Sequence, residues 1–312
     1  MTVLVGDIIT ASQYNVLKDG VNKWFGDNYS GNTVASSKAT SSYGWGNANV
    51  AAVTTGDIIT AEQSNHLINR INLGVLQTGV SSSMTKVVTG NTILAADHNL
   101  IESKSATIDA GRLIAIDTTT TSNGAAGSST RAAWSSAISV TATATFASYA
   151  AARYFFNSGG QLRFSFDNTG ASNDALAWDD LWSATDMGTL IFSYNNVAQT
   201  GSRPGNFPLI GGVGSGFYEL TTTPTEVYNI NLDQSPYTEN DFRMRVSRNA
   251  AGTQVVATFT MNNDDPQAET VDGNTVIKLD SRKADPKSGT DPAVSFAITG
   301  FSTFVAGAWS GA

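Results

Sequence analysis

The sequence predicts a mostly β protein: an N-terminal region of short helices built from turn–helix repeats, then an antiparallel β-sandwich of jelly-roll type. Three observations carry this. A short motif recurs three times in the first third of the chain. After about residue 125 the apolar period becomes two, the period of half-buried strands. Composition agrees: 29 Gly, and only 14% charged residues against the ~25% of an ordinary globular chain, with Ser, Thr and Asn abundant.

The repeat comes first. Gly6-Asp7-Ile8-Ile9-Thr10-Ala11-Ser12-Gln13-Tyr14-Asn15-Val16-Leu17 returns as Gly56-Asp57-Ile58-Ile59-Thr60-Ala61-Glu62-Gln63-Ser64-Asn65-His66-Leu67. A weaker copy runs from Gly90 to Ile101. The spacings differ, so this is not a fixed-period solenoid. Gly-Asp is turn chemistry. Thr10 with Gln13, and Thr60 with Gln63, match a capping box, so a helix starts at each. The third copy has Leu94 where the Thr should stand. Asn15, Asn65 and Asn99 share one position, which suits a local bond to the turn.

Helical spacing lines up Tyr14, Leu17, Val21 and Trp24 in the first copy, and Leu67, Ile68 and Ile71 in the second. Two readings follow. The helices pack on one another, or they dock on neighbouring subunits, because short isolated helices are marginal in water. On the second reading Tyr14, Leu17, Val21, Trp24, Leu67 and Ile71 are assembly contacts of a homo-oligomer, and a trimer suits a fibre.

Thr118 to Gly124, leading into Gly127-Ser128-Ser129, has linker composition. The expected domains are therefore 1–125 and 126–312. Beyond the linker, Ile138 to Phe146 alternates apolar with Ser and Thr. Tyr154-Phe155-Phe156 and Leu162 to Phe166 flank Asn157-Ser158-Gly159-Gly160 and read as a hairpin. Further strands are expected at 190–194, 228–232, 242–246, 255–261, 276–279 and 294–298. Asn173 to Trp182 reads as a helix or an irregular loop.

Several chemistries are excluded or weakened. The net charge of −8 gives no basic footprint for nucleic acid. Zero Cys removes thiolate chemistry, and no run approaches the ~18 apolar residues of a spanning helix. The N-terminus lacks a basic segment and an apolar core, so synthesis in a cytosol without a secretory leader is expected. Gly211 to Gly216 has no Lys and precedes a strand, which fits a loop and not a phosphate cradle. His66 and His98 are expected at the surface. Asp179-Asp180 between Trp178 and Trp182 is the best carboxylate pair, because aromatics beside acids are how sugar-binding faces look. The four form a candidate glycan-binding or hydrolytic site. Asn262 to Asp265 and Asp272-Gly273-Asn274 offer oxygen ligands for Ca²⁺, but turns explain both. No catalytic residue, cofactor or metal is expected.

The Gly-Asp-Ile-Ile-Thr-Ala-x-Gln-x-Asn-x-Leu motif, with the segment Ala152 to Arg163, resembles virion structural proteins of tailed phages, especially phages of cyanobacteria. The resemblance implies a non-enzymatic tail, baseplate or fibre component located in the virion. Its implied partners are other tail proteins and copies of itself. A glycan-binding host-recognition module is the second expectation, and a surface-polysaccharide hydrolase the third.

Overall fold

The structure is a computed structural model that describes residues 9–26, 44–79, 83–88, 90, 93–114, 126–169, 173–264, 269–283, 301–306 and 310–311. The chain falls into two compact units. Met1–Asp117 is joined in the first by Arg153–Gly159, and the second holds Thr118–Ala152 and Gly160–Lys283. The fold is mixed, with substantial strand content and several helices, so the mostly β expectation is corrected.

The first unit is built on three helices: α1 (Ala11–Phe25), α2 (Ala61–Thr78) and α3 (Ala95–Gly111). Both capping boxes form. Thr10 Oγ1 accepts from Gln13 N at 3.3 Å and Gln13 Oε1 accepts from Thr10 N at 2.8 Å; Thr60 and Gln63 repeat this at 3.2 and 2.8 Å. In α3 only half survives, with Asp97 Oδ2 accepting from Leu94 N at 3.4 Å. α2 ends on Gly79 in the left-handed conformation, its N–H returned to Val75 O.

The apolar stripes meet inside this unit. Tyr14, Leu17, Val21, Trp24, Leu67, Ile68, Ile71, Ile101 and Ile108 are all buried in one core. α2 comes close through Gly74, where a methyl would lie 2.7–2.8 Å from Trp24 and Ile108. Trp24 donates to Ser105 Oγ at 2.9 Å, and Lys23 pairs with Asp109 at 2.7 Å. The six residues expected to hold neighbouring subunits are therefore spent on the chain's own core.

Extended segments follow the first two helices, and asparagines hold them. Asn15 Nδ2 donates to Val53 O at 2.8 Å while its Oδ1 accepts from Val53 N at 3.0 Å. Asn22 grips Val50 in the same way at 2.9 and 2.8 Å. In the second copy Asn65 grips Val87 at 2.8 and 2.8 Å, and Asn72 grips Met84 at 2.9 and 2.6 Å. The spacing has a geometric cause. Seven helical residues rise ~10.5 Å and return to nearly the same face. Three extended residues span ~10 Å. Two asparagines a heptad apart therefore meet every third residue of a chain running the other way. In the first two copies the shared Asn position binds this returning segment, not the turn beside it. The third copy has Ala106 at its second clamp position.

Arg153–Gly159 contributes to the same unit as the end of helix α4 (Tyr149–Asn157) and its turn. Asn157 Nδ2 donates to Gly44 O at 2.6 Å, and Trp45 donates to Asn157 O at 3.1 Å. Gly159 has φ +93°, and a Cβ there would meet Leu113 O at 1.8 Å. The expected hairpin at 154–166 is thus half wrong. Ser148 caps α4 by accepting from Ala151 N at 3.1 Å, and Ala152, Phe155 and Phe156 fall at helical spacing on the buried face. The Ala run before the aromatics extends a helix, and the aromatic triplet alone resembled a strand.

In the second unit, strands β1 (Gly127–Arg131), β3 (Gln161–Asn168), β4 (Leu190–Phe192), β5 (Val197–Gln199) and β9 (Thr275–Arg282) form one antiparallel sheet in the order β1-β9-β3-β4-β5. Gly127-Ser128-Ser129, read as linker, is thereby the start of an edge strand. Strands β2 (Ile138–Phe146), β6 (Thr225–Asn231), β7 (Asp241–Arg248), β8 (Gln254–Asn262) and β10 (Phe301–Ala306) form a second, ordered β10-β2-β8-β7-β6, with the short β11 (Ser310–Gly311) also on β2. The expected strand at 294–298 lies outside the described residues. Alternation in β2 is complete, with Ile138, Val140, Ala142, Ala144 and Phe146 all buried. The sheets share an aromatic core. Phe164 and Phe166 of β3 lie 4.9 and 5.1 Å from Phe259 of β8, and Phe166 lies 4.9 Å from Phe242 of β7. The arrangement is compatible with a β-sandwich.

Candidate functional site

The tandem acids sit on helix α5 (Asn173–Trp182) of the second unit, which settles helix over loop. Helical spacing sends Trp178 and Trp182 to one side, and that side faces inward. Their exposures are 0% and 4%. The two rings are 5.5 Å apart, Trp178 lies 5.4 Å from Trp134, and Trp182 lies 5.8 Å from Phe166. A sugar stacks on an accessible aromatic face, and these faces are packed against other rings. The expected glycan platform is therefore corrected: both tryptophans are core. Asp179 accepts from Asn168 N at 3.4 Å, which leaves it a structural role at the end of β3.

Asp180 is exposed and joins residues that the sequence did not connect. Among the described residues, Asp180, Asp186 and Asp233 place one carboxylate oxygen each within 4.8 Å of one another. Arg203 reaches in with Nη1 2.8 Å from Asp233 and 3.4 Å from Asp186. Gln234 donates to Asp180 Oδ2 at 2.7 Å. Burial pushes the Asp186 carboxyl above its usual range; Arg203 opposes that shift, and Asp233 and Asp180 add to it.

The loop under these acids is organised by Gln199. Its amide donates to the carbonyls of Asp186 at 3.3 Å, Gly201 at 3.2 Å and Arg203. Its Oε1 accepts from Tyr228 Oη at 3.0 Å and Gly205 N at 3.1 Å. Chemically, the triad offers hard oxygen ligands of the kind Ca²⁺ takes. A guanidinium already supplies the counter-charge, and its Nη2 is further tied to Asn231 O. Glycoside hydrolysis needs carboxyl groups ~5–9.5 Å apart with room for a sugar between them. Here Arg203 stands among the acids, ion-paired to two of them. The arrangement works as an ion-paired brace. Sequence reasoning missed Asp186, Arg203 and Asp233 because the chain brings them together from separate loops, with no local spacing to mark them.

The other marked residues disperse. Asn263 donates to Asp174 Oδ2 at 2.8 Å and Glu269 O at 3.0 Å, and its Oδ1 accepts from Asn240 at 2.6 Å. These groups form a buried amide–carboxylate network. Asp265 lies outside the described residues. Gly211 and Gly212 adopt positive φ in a tight turn closed by Ile210 and Gly214, as a loop requires. His66 is exposed, 3.9 Å from Glu62. His98 is 3% exposed, so its expected surface position is corrected. No described helix is long and apolar enough to cross a membrane.

No known protein family, curated protein or solved structure matches the chain.

Proposed function

We propose that the chain is a non-enzymatic structural component of a tailed-phage virion, in the tail, baseplate or fibre. The observation that carries this reading is the use of the repeat. Each capping box and asparagine pair is spent on fixing the helical unit's own shape, so the motif encodes architecture and not a reactive centre. The motif is also the part of the chain that resembles virion structural proteins. The polar, weakly charged strands of the second unit suit an exposed body, and the antiparallel pairs β2·β10 and β3·β9, each joining strands far apart in the chain, support a jelly-roll arrangement of it.

On this reading neighbouring tail subunits, or copies of the chain, contact the outer surface of the helical unit. Its buried stripes are not available to them. Ile58, Val88 and Leu94 are exposed at 85%, 65% and 56%, at or just before the repeat turns, and they support contacts there. The test is a reconstruction of purified particles together with mass spectrometry of their proteins. The expected result is density for both units in the tail region and stoichiometric chain in the particle. Particles that assemble and infect with the chain absent from them would overturn the reading.

A further inference from the structure

The three repeat copies converge on a small cavity in the helical unit. Equivalent positions line it: Ile9, Ile59 and Ile93 from the turns, and Tyr14, Ser64 and His98 from the first turn of each helix. Its volume is about 10 Å³. That is the space of one water molecule and too little for an organic ligand. The walls are mostly aliphatic, yet one position in three copies carries a phenol, a hydroxyl and an imidazole.

His98 makes the cavity unusual. It is 97% buried, being 3% exposed, and neither ring nitrogen has a hydrogen-bond partner among the described residues. A neutral imidazole has one donor and one acceptor, and burying the donor unpaired is unfavourable. The Tyr14 hydroxyl donates to Gln63 O at 3.2 Å, so its oxygen keeps acceptor capacity toward the cavity. Ser64 lines the same space and can donate or accept. Asp97, the one carboxylate on the wall, has Oδ2 turned to Leu94 N at 3.4 Å.

We propose that this cavity is a binding site for a single water molecule. The water accepts from the His98 N–H and donates to the Tyr14 and Ser64 oxygens, so that one ligand ties together all three copies of the repeat. Only the acceptor nitrogen of His98 is then left without a partner. The proposal does not rest on the virion reading. It explains why the shared position is polar in every copy although it lies in the core.

A high-resolution crystal structure of the full chain tests it. The expected result is one density peak within ~2.6–3.2 Å of a His98 nitrogen and of the Ser64 or Tyr14 oxygen. Bromide soaking distinguishes water from a small anion: an anomalous peak at the same place would overturn the assignment to water. A dry cavity, or a His98 ring bonded directly to a protein group, would overturn the site. In solution, water-¹⁷O relaxation dispersion should count one fewer long-lived internal water in Ser64→Val than in the parent chain. An unchanged count in folded Ser64→Val protein also refutes the proposal. If that variant does not fold, the parent crystal decides.

Discussion

The helical unit and the two-sheet unit face the same problem and solve it differently. Extended backbone must have its N–H and C=O groups paired once it is buried. In the sheets, neighbouring strands do this: β2 pairs with β8 from Ile138–Met261 to Thr145–Gln254. In the helical unit, the segments around Val50–Val53 and Met84–Val87 are held by asparagine side chains projecting from a helix. A ladder spreads its stability over many equivalent bonds. A clamp concentrates it in a few side chains, so single substitutions should be felt most sharply there and at core rings.

The largest expected effect tests whether Trp178 belongs to the core or to a binding surface. Trp178→Ala should destabilise the second unit by ~3–5 kcal/mol, as loss of a buried ring does. Denaturant unfolding monitored by fluorescence and circular dichroism would measure it. Full stability combined with altered sugar binding would restore the glycan platform and remove Trp178 from the core.

Asn22→Ala comes next. It removes two buried bonds, of 2.8 and 2.9 Å, and leaves the Val50 N–H and C=O without the side chain that pairs them. A cost of ~2–4 kcal/mol is expected for the helical unit. Asn15→Ala should cost less, because its site is only partly buried. Equal effects at the two sites, or none at either, would show that the clamps decorate a segment fixed by other forces.

Legibility followed the same division. The capping boxes and helix starts could be read because they depend on residues three apart. β2 could be read because alternation is local. The partners of Asn15 and Asn22 could not, although the heptad spacing was in plain view, because Val53 and Val50 carry no signal in their side chains. Tyr154-Phe155-Phe156 by itself looks like a strand, and only the alanines before it mark α4 as a helix. Trp178 and Trp182 are ambiguous in the sequence, because an aromatic beside an acid looks alike on a sugar face and on a core helix. The Asp180, Asp186, Asp233 and Arg203 brace was out of reach, since only the fold makes them neighbours.

Gly74→Ala probes the helix contact at smaller scale. Ala favours helix over Gly by ~1 kcal/mol. Against that, the new methyl would stand 2.7 Å from Trp24 and 2.8 Å from Ile108, both buried. Overpacking of this kind costs ~1–3 kcal/mol, so a net loss of about 1 kcal/mol is expected. A stabilised Gly74→Ala protein would mean that α2 can move away from Trp24 and that the core is looser than its burial indicates.

The smallest effect runs the other way and separates the third copy from the first two. Leu94 occupies the cap position of α3 with φ −83° and ψ 147°, close to Thr10 at −84° and 159° and Thr60 at −85° and 159°. The backbone is therefore already set for a cap. Asp97 already accepts from Leu94 N, and Asp97 N donates to the Leu94 carbonyl at 3.0 Å; a side-chain oxygen at position 94 would supply the acceptor that Thr10 and Thr60 provide in the other copies. Leu94 is 56% exposed, so little apolar burial is lost on replacing it. Leu94→Thr should complete the box and stabilise the helical unit by ~0.5–1 kcal/mol. The measurement is an equilibrium melt beside Thr10→Ala, which should lose a similar amount. If Leu94→Thr instead destabilises, Leu94 has an apolar contact worth more than a cap, and the third copy has diverged toward a task the other two do not share.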